Sequence, residues 1–141
     1  MSLEEIMHKP TFVRESETID KVAKLMAKKS IGSVLVGDED GVLGIFSERD
    51  LLVKIVAKDI DAKKAKVKDY MTQPVMAVDM NFSVFDAQEV MAEHHIRRLP
   101  ITSNGRVVGV VSARNIMENL RYEYLRKGAA HSERIAYSSY W

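Results

Sequence analysis

The sequence predicts an α/β (α+β) fold built from two tandem β-α-β-β-α repeats, related by a pseudo-twofold axis with clefts between them. Three observations lead there. Residues 13–52 recur as residues 78–117 at a constant offset of 65. The identical pairs are Val13/Val78, Met26/Met91, Ala27/Ala92, Ile31/Ile96, Val42/Val107, Gly44/Gly109, Ser47/Ser112 and Arg49/Arg114. Others, such as Ile19/Val84, Leu25/Val90, Val34/Leu99, Val36/Ile101 and Leu51/Ile116, exchange one apolar residue for another, and an internal repeat decides architecture before any local reading. Each copy also runs through the same order of strand and helix signals. Finally, the hairpin strands are apolar on both faces, as in sheets covered on both sides.

In the first copy, Thr11-Phe12-Val13 reads as a short strand and Thr18 as a helix N-cap. Ile19, Val22, Ala23, Leu25 and Met26 recur at helical spacing and place a helix over 19–29. Ile31 to Val36 is rich in branched residues and reads as a strand. Gly37-Asp38-Glu39-Asp40-Gly41 has turn composition, and Val42 to Phe46 returns as the second hairpin strand. Ser47 then opens a helix from Glu48 to about Ala57. The second copy repeats this order. Val75 to Val78 is a strand, and Ser83 caps a helix reaching about His94. Leu99 to Thr102 and Val107 to Val111 form a hairpin around Ser103-Asn104-Gly105-Arg106. Ser112 opens a last helix to about Arg126.

The expected division is a first repeat with connector over 1–66, a second repeat over 67–127 and a tail over 128–141. Asp61 to Lys68 reads as a basic, solvated connector. Its Lys63, Lys64, Lys66 and Lys68 are interspersed with acids and lack aromatic neighbours for base stacking, so nucleic acid is not expected there. Tyr122, Tyr124, Tyr137, Tyr140 and Trp141 gather late in the chain, as an interface or a mobile tail would have them.

The bulk numbers narrow the classes further. A chain of 141 residues with 46% hydrophobic content fits one compact domain or two small units sharing a core. The longest apolar runs are too short to span a bilayer. Met1-Ser2-Leu3-Glu4-Glu5 has neither the basic start nor the apolar run of a secretory signal. There is no cysteine, hence no disulfide framework, thiol nucleophile or cysteine zinc site. A cytoplasmic location without membrane attachment is the expectation. A net charge of +1 supplies no general attraction to nucleic acid or anionic lipid.

Several of these segments carry a family likeness. Gly44-Ile45-Phe46-Ser47-Glu48-Arg49-Asp50 and Gly109-Val110-Val111-Ser112-Ala113-Arg114-Asn115 follow a pattern of Gly, two apolar residues, Thr or Ser, two free positions and Asp. Met71-Thr72-Gln73-Pro74-Val75 looks like a Met-Thr-x-x-Pro-Val lead-in. Ile96-Arg97-Arg98-Leu99-Pro100-Ile101 looks like a basic Leu-Pro-Val strand. In this order, twice over about Thr11 to Leu120, they resemble the CBS domain pair, named for cystathionine β-synthase and also called a Bateman module. The resemblance implies a non-catalytic regulatory module. Such pairs bind adenosine-containing ligands (AMP, ADP, ATP or S-adenosylmethionine) between the repeats and relay metabolite state to a partner. It also implies a homodimer formed through the helices. The protein partner itself is not encoded in the chain.

The chemistry of the matching residues is definable. Ser47 can cap the following helix, and Asp50 can accept two hydrogen bonds from a ribose diol. The plainer alternative is a capping box, serine reaching forward and acid reaching back. Ser112 and Asn115 repeat the arrangement without the charge, since an amide both donates and accepts. Arg97 and Arg98 are adjacent on a strand and point to opposite faces. The resemblance places such residues on ligand phosphates, which the planar guanidinium fork suits. The plainer alternative is a pair of surface salt bridges. The first copy has Gly32 and Ser33 there, so the two clefts should differ electrostatically. Ile45, Val75, Met76 and Val110 are candidates for the base pockets. His94 and His95 end a helix, where the dipole favours histidine. Adjacent helical residues do not share a face, so no metal site is expected. No nucleophile–base pair, metal cluster or glycine-rich phosphate loop is visible, so no catalytic residues or cofactor are expected. The competing readings are a protein-interaction or nucleic-acid adaptor with empty clefts and, less favoured still, a small nucleotide-acting enzyme.

Overall fold

The computed structural model describes residues 1–127, and the tail with His131, Tyr137, Tyr140 and Trp141 lies outside them. The chain begins with a short helix α1 (Leu3–Ile6) and strand β1 (Phe12–Val13), followed by helix α2 (Ile19–Lys29). The hairpin β2 (Ser33–Asp38) and β3 (Gly41–Ser47) leads into α3 (Glu48–Asp50), which continues as a π-helical stretch, Leu51–Val56. After a 3₁₀ turn (Val67–Asp69), strand β4 (Val78–Asp79), helix α4 (Val84–His94), hairpin β5 (Arg98–Ser103) and β6 (Arg106–Ser112), and helix α5 (Ala113–Arg126) repeat the plan.

Each repeat holds a three-stranded sheet, β1-β2-β3 or β4-β5-β6, whose first strand runs parallel to the central one and whose hairpin is antiparallel. The ladders shift register at Val36/Gly37 and Ile101/Thr102, which are equivalent positions. Ser30 and His95, also equivalent, end α2 and α4 in the left-handed conformation, with φ of 53° at both. The His95 amide thereby bonds back to the carbonyls of Met91 and Ala92, so this histidine serves as a helix stop.

Each repeat's core is completed by residues that precede the other repeat. Val67, Tyr70 and Met71 pack with Val22, Val34, Phe46 and Ile55 of the first repeat. Leu3, Ile6 and Met7 pack with Val84, Leu99, Val111 and Ile116 of the second. The lead-in segments therefore cross over. Thr72 and Ile45 exchange backbone hydrogen bonds of 2.8 and 3.0 Å, and His8 and Val110 do so at 2.9 Å in both directions. At each crossing a methionine lies on a glycine. A Cβ on Gly44 would meet Met71 Sδ and come within 3.0 Å of the Thr72 carbonyl oxygen, and one on Gly109 would meet Met7 Sδ. The glycine of each Gly-x-x-Ser pattern is thus explained by close approach of another chain segment.

Four details differ from the expectations. The strand over Val75 to Val78 shortens to Val78–Asp79. In the first repeat the Leu35 amide donates to the Thr11 carbonyl at 2.8 Å. Its counterpart Pro100 has no amide, so the residues before Val78 are left outside the ladder. The connector is no solvated linker, because Ala62, Ala65 and Val67 pack into the first core. Its Ala65 and Ala62 carbonyls accept from the Ile19 and Asp20 amides, both at 3.0 Å. These are the free amides at the start of α2, so Thr18 does not cap through its side chain. Its hydroxyl donates instead to Asp20 at 2.6 Å, which holds that carboxyl below its usual range, with help from Lys21 and Lys24. The helix after Ser47 is α-helical for one turn only and then widens.

Gly44→Ala is expected to lower the unfolding free energy by about 1–3 kcal/mol, because the added methyl must push Met71 and the Thr72 backbone away. Urea denaturation of the two proteins measures this. An unchanged midpoint would mean the crossing is looser than described.

Candidate functional site in the inter-repeat cleft

The two repeats meet along three contacts. Besides the crossings, Arg106 of β6 pairs with Glu39 and, at 2.8 Å, with Asp40 in the first hairpin turn. The Val107 amide donates to the Glu39 carbonyl there at 3.2 Å. Arg98, the first residue of β5, reaches across so that its guanidinium covers Gly32, and Nη2 lies 3.1 Å from Glu48 Oε1. Any side chain at Gly32 would collide with that guanidinium. Arg98 therefore occupies space left by a glycine at the position equivalent to Arg97. Arg97 itself is exposed.

Ser47 and Asp50 form the capping box. Ser47 Oγ accepts from the Asp50 amide at 3.2 Å, and Asp50 Oδ2 accepts from the Ser47 amide at 2.9 Å. The same Oδ2 lies 3.2 Å from Ser47 Oγ. Asp50 is the one buried charged residue among those described, at 8% exposure. Its second oxygen, Oδ1, accepts from Thr72 Oγ1 at 3.0 Å and forms an ion pair with Lys54 Nζ at 3.1 Å. Ser47, Thr72 and Lys54 thus engage both carboxylate oxygens. Ligand contact through Asp50 Oδ1 comes at the expense of Thr72 or Lys54. The Ser112–Asn115 pair repeats the box, with Asn115 Oδ1 accepting from the Ser112 amide at 3.1 Å. No charge enters there. Asn119, equivalent to Lys54, donates to the Asn115 carbonyl at 2.8 Å.

The structure brings Ser47, Asp50 and Arg98 to one helix start, from two repeats. It does not gather the proposed base-pocket residues. Ile45 and Val110 are half-buried at the two crossings, and Met76 is exposed at 37%. Val75 lines a separate cavity of about 200 Å³ with Val42, Ala77, Pro100, Thr102 and Val107, rimmed by Glu39, Asp40 and Gly105. A larger groove of about 610 Å³ lies at the hairpin end of the first sheet, between Phe12–Ser16 and Gly37–Leu43. Neither contains Asp50, Arg97 or Arg98. Among the described residues no group of three or more His, Asp or Glu side chains is placed to hold a metal ion. No described helix is long and apolar enough to cross a membrane.

Sequence reasoning missed two structural elements. One is Lys54, four residues after Asp50 and readable as an i,i+4 partner. The other is the first lead-in, Met7-His8-Lys9-Pro10, which parallels Met71-Thr72-Gln73-Pro74 at an offset of 64, one short of the repeat period.

The fold defines a tandem-repeat module of two unlike halves, in which Arg98 of the second reaches the helix start that holds the buried Asp50 of the first. The chain belongs to the CBS domain family, whose model matches residues 3–57 and 67–122. It is 33% identical over 111 residues to Hypoxic response protein 1 of Mycobacterium tuberculosis, covering 78% of each chain. It is 36% identical over 105 residues to an uncharacterized protein of Methanopyrus kandleri, covering 73% of this chain and 54% of that one, so the match spans about half of that relative. Among solved structures, a putative signal-transduction protein with CBS domains from Burkholderia ambifaria superposes with a TM-score of 0.76 at 27% identity, covering 96% of this chain and 92% of that one. The Hypoxic Response Protein I structure, described with two coordinated zinc ions, gives 0.72 at 32% identity, covering 84% and 98%. As a class, CBS pairs are regulatory ligand-binding modules, and proteins made of CBS domains alone are generally non-catalytic.

Asp50→Ala is expected to destabilise the protein by about 1–3 kcal/mol, since it removes a helix cap and strands the Thr72 and Lys54 donors. Asn115→Ala removes only a cap and should cost about 1 kcal/mol. Denaturant midpoints of the two variants test this, and equal losses would contradict the asymmetry of the two boxes.

Proposed function

We propose that the protein is a non-catalytic sensor that binds an adenosine-containing ligand in the cleft between its repeats and relays its occupancy to a partner. One observation carries this reading. Asp50 of the first repeat and Arg98 of the second converge on the helix start at Ser47–Asp50, with Arg98 held there by Glu48 at 3.1 Å. A carboxylate suits a ribose diol, and a guanidinium suits a phosphate. Glu48 is the more exposed member of the ion pair, 70% exposed at its side chain against 24% for Arg98. A phosphate can therefore replace it without rebuilding the strand. Ser47 positions Asp50. In the second cleft, Ser112 and Asn115 offer a neutral counterpart, which binds a diol less strongly. Arg97 serves as an outer phosphate contact, and of the base-pocket candidates Ile45 is the one that pairs with Thr72, whose hydroxyl donates to Asp50. No catalytic step and no metal is part of this function.

The output passes through the helices. The π-helical stretch exposes Leu52, Val53 and Val56, and α5 exposes Met117, Leu120, Tyr122 and Tyr124. Exposed apolar residues in such number suit an interface, and a second copy of the chain is the partner this reading assigns to them. A structural relative with a TM-score of 0.78 and 25% identity is described as a hexameric CBS-CP12 protein. That assembly is consistent with a CBS pair presenting association surfaces. A module in this role acts in the cytoplasm, where adenine nucleotides are abundant.

Isothermal titration of ligand-free protein with AMP, ADP, ATP and S-adenosylmethionine tests the reading. Saturable binding of at least one is expected, with about one strong site per chain. Asp50→Asn keeps the helix cap and Arg98→Ala keeps the strand. Each should weaken that binding roughly tenfold to a hundredfold, as loss of a charge-assisted contact does. Wild-type affinity in both variants removes them from the site. No binding by any of the four ligands would favour an adaptor that works through its exposed helical residues alone.

A further inference from the structure

We infer that Lys54 is a latch: its ammonium ties the ligand-facing carboxylate of Asp50 to the segment that joins the repeats, so that occupation of Asp50 by a ligand releases the joint. Lys54 Nζ lies 3.1 Å from Asp50 Oδ1, 2.8 Å from the Tyr70 carbonyl oxygen and 3.2 Å from Thr72 Oγ1. The ammonium thus has three oxygen partners, two through hydrogen bonds and one through an ion pair. Two of the partners belong to the lead-in of the second repeat, just where Thr72 crosses β3 beside Gly44. The third is the side chain that the first repeat offers to the cleft.

Three features single this contact out from an ordinary surface ion pair. It is partly sheltered, with 34% exposure at the lysine side chain and 11% at the aspartate, so solvent screens it less than the exposed pairs elsewhere. It sits in the π-helical stretch, and such widened turns are rare and tend to occur at functional sites. The second repeat, moreover, lacks it. The positions equivalent to Asp50, Lys54 and Thr72 are Asn115, Asn119 and His8, and α5 there remains α-helical. Acid and base are replaced together by two amides, as expected if they work as a pair.

The consequence for binding is specific. Both oxygens of Asp50 are engaged in the free protein, so a vicinal diol that takes up Oδ1 does so at the expense of Lys54 or Thr72. Displacing Lys54 leaves a cation beside the cleft, and a ligand that carries its own anionic group can neutralise it. The latch thereby favours a phosphorylated nucleoside over the neutral nucleoside. It also makes ligand entry loosen the Tyr70–Thr72 crossing and the Leu52–Val56 stretch that follows Asp50. This coupling rests on the nucleotide reading above, whereas the latch in the free protein does not.

The test uses the full chain by NMR. In unmodified protein the Lys54 Nζ protons should exchange with solvent far more slowly than those of Lys21 and Lys24, whose side chains are mostly exposed. Lys54→Met should raise amide exchange at Thr72 and Ile45 about tenfold or more, as loss of a charge-assisted contact at a local opening predicts. The control Lys28→Met should leave both amides unchanged. In binding, the preference for AMP over adenosine should fall in Lys54→Met, with adenosine gaining affinity. Fast Nζ exchange in the unmodified protein, or unaltered Thr72 and Ile45 exchange in the variant, overturns the latch. AMP that binds while the Lys54 signal stays unchanged overturns the coupling. If neither protein binds a nucleotide but the free-state signals are as expected, the nucleotide reading fails and the latch stands as a joint between repeats.

Discussion

The crossing of the two lead-in segments is the constraint on which the rest of the molecule depends. Each three-stranded sheet is too small to bury an apolar face alone, and each is completed by residues that belong in sequence to the other side of the molecule. Met71 seals the first sheet at Gly44, and Met7 seals the second at Gly109. The backbone exchange at Ile45–Thr72 and Val110–His8 adds a residue pair to each outer strand. Because both crossings must be made at once, the two repeats acquire one relative placement. The cleft then follows as geometry: β5 starts opposite the α3 N-terminus, and Arg98 lands on Glu48.

Within that near-symmetric frame the chemistry is distributed unequally. Both repeats contribute charged groups to the joint, Asp50 and Lys54 from the first and Arg98 from the second. Gly32 leaves room in the first repeat for the Arg98 guanidinium that the second supplies. A duplicated unit that kept identical residues would present two equal clefts. The differences Asp50/Asn115, Lys54/Asn119 and Ser33/Arg98 instead put charged partners at the first helix start and neutral amides at the second. Inequality of this kind allows one ligand-responsive position within a frame that two repeats stabilise.

Most of this frame was legible in the sequence because the repeat period is nearly constant and the elements are short and strongly patterned. Strand and helix order, both hairpins and the Ser-x-x-Asp junctions were all readable from it. The capping-box alternative at Ser47–Asp50 proved to be the local geometry in both copies. What escaped detection had physical reasons. The first lead-in is offset by 64 where the rest of the repeat is offset by 65, so a fixed-period comparison passes over Met7 and Pro10. The connector hides three packed residues, Ala62, Ala65 and Val67, among lysines that face solvent. Val75 read as strand because its neighbours are apolar, but pairing depends on an amide that Pro100 lacks. Lys54 was overlooked because a lone lysine on a helix is ordinarily solvated, and its partners Tyr70 and Thr72 lie sixteen and eighteen residues away.

The most direct test of the cleft assignment is residue-resolved NMR of the labelled protein during titration with AMP. The account predicts that the largest shifts gather at Ser47, Asp50, Lys54, Thr72 and Arg98, with weaker changes around Ser112 and Asn115. Shifts confined to the groove between Phe12–Ser16 and Gly37–Leu43, or absent from the Ser47–Asp50 helix start altogether, would contradict it.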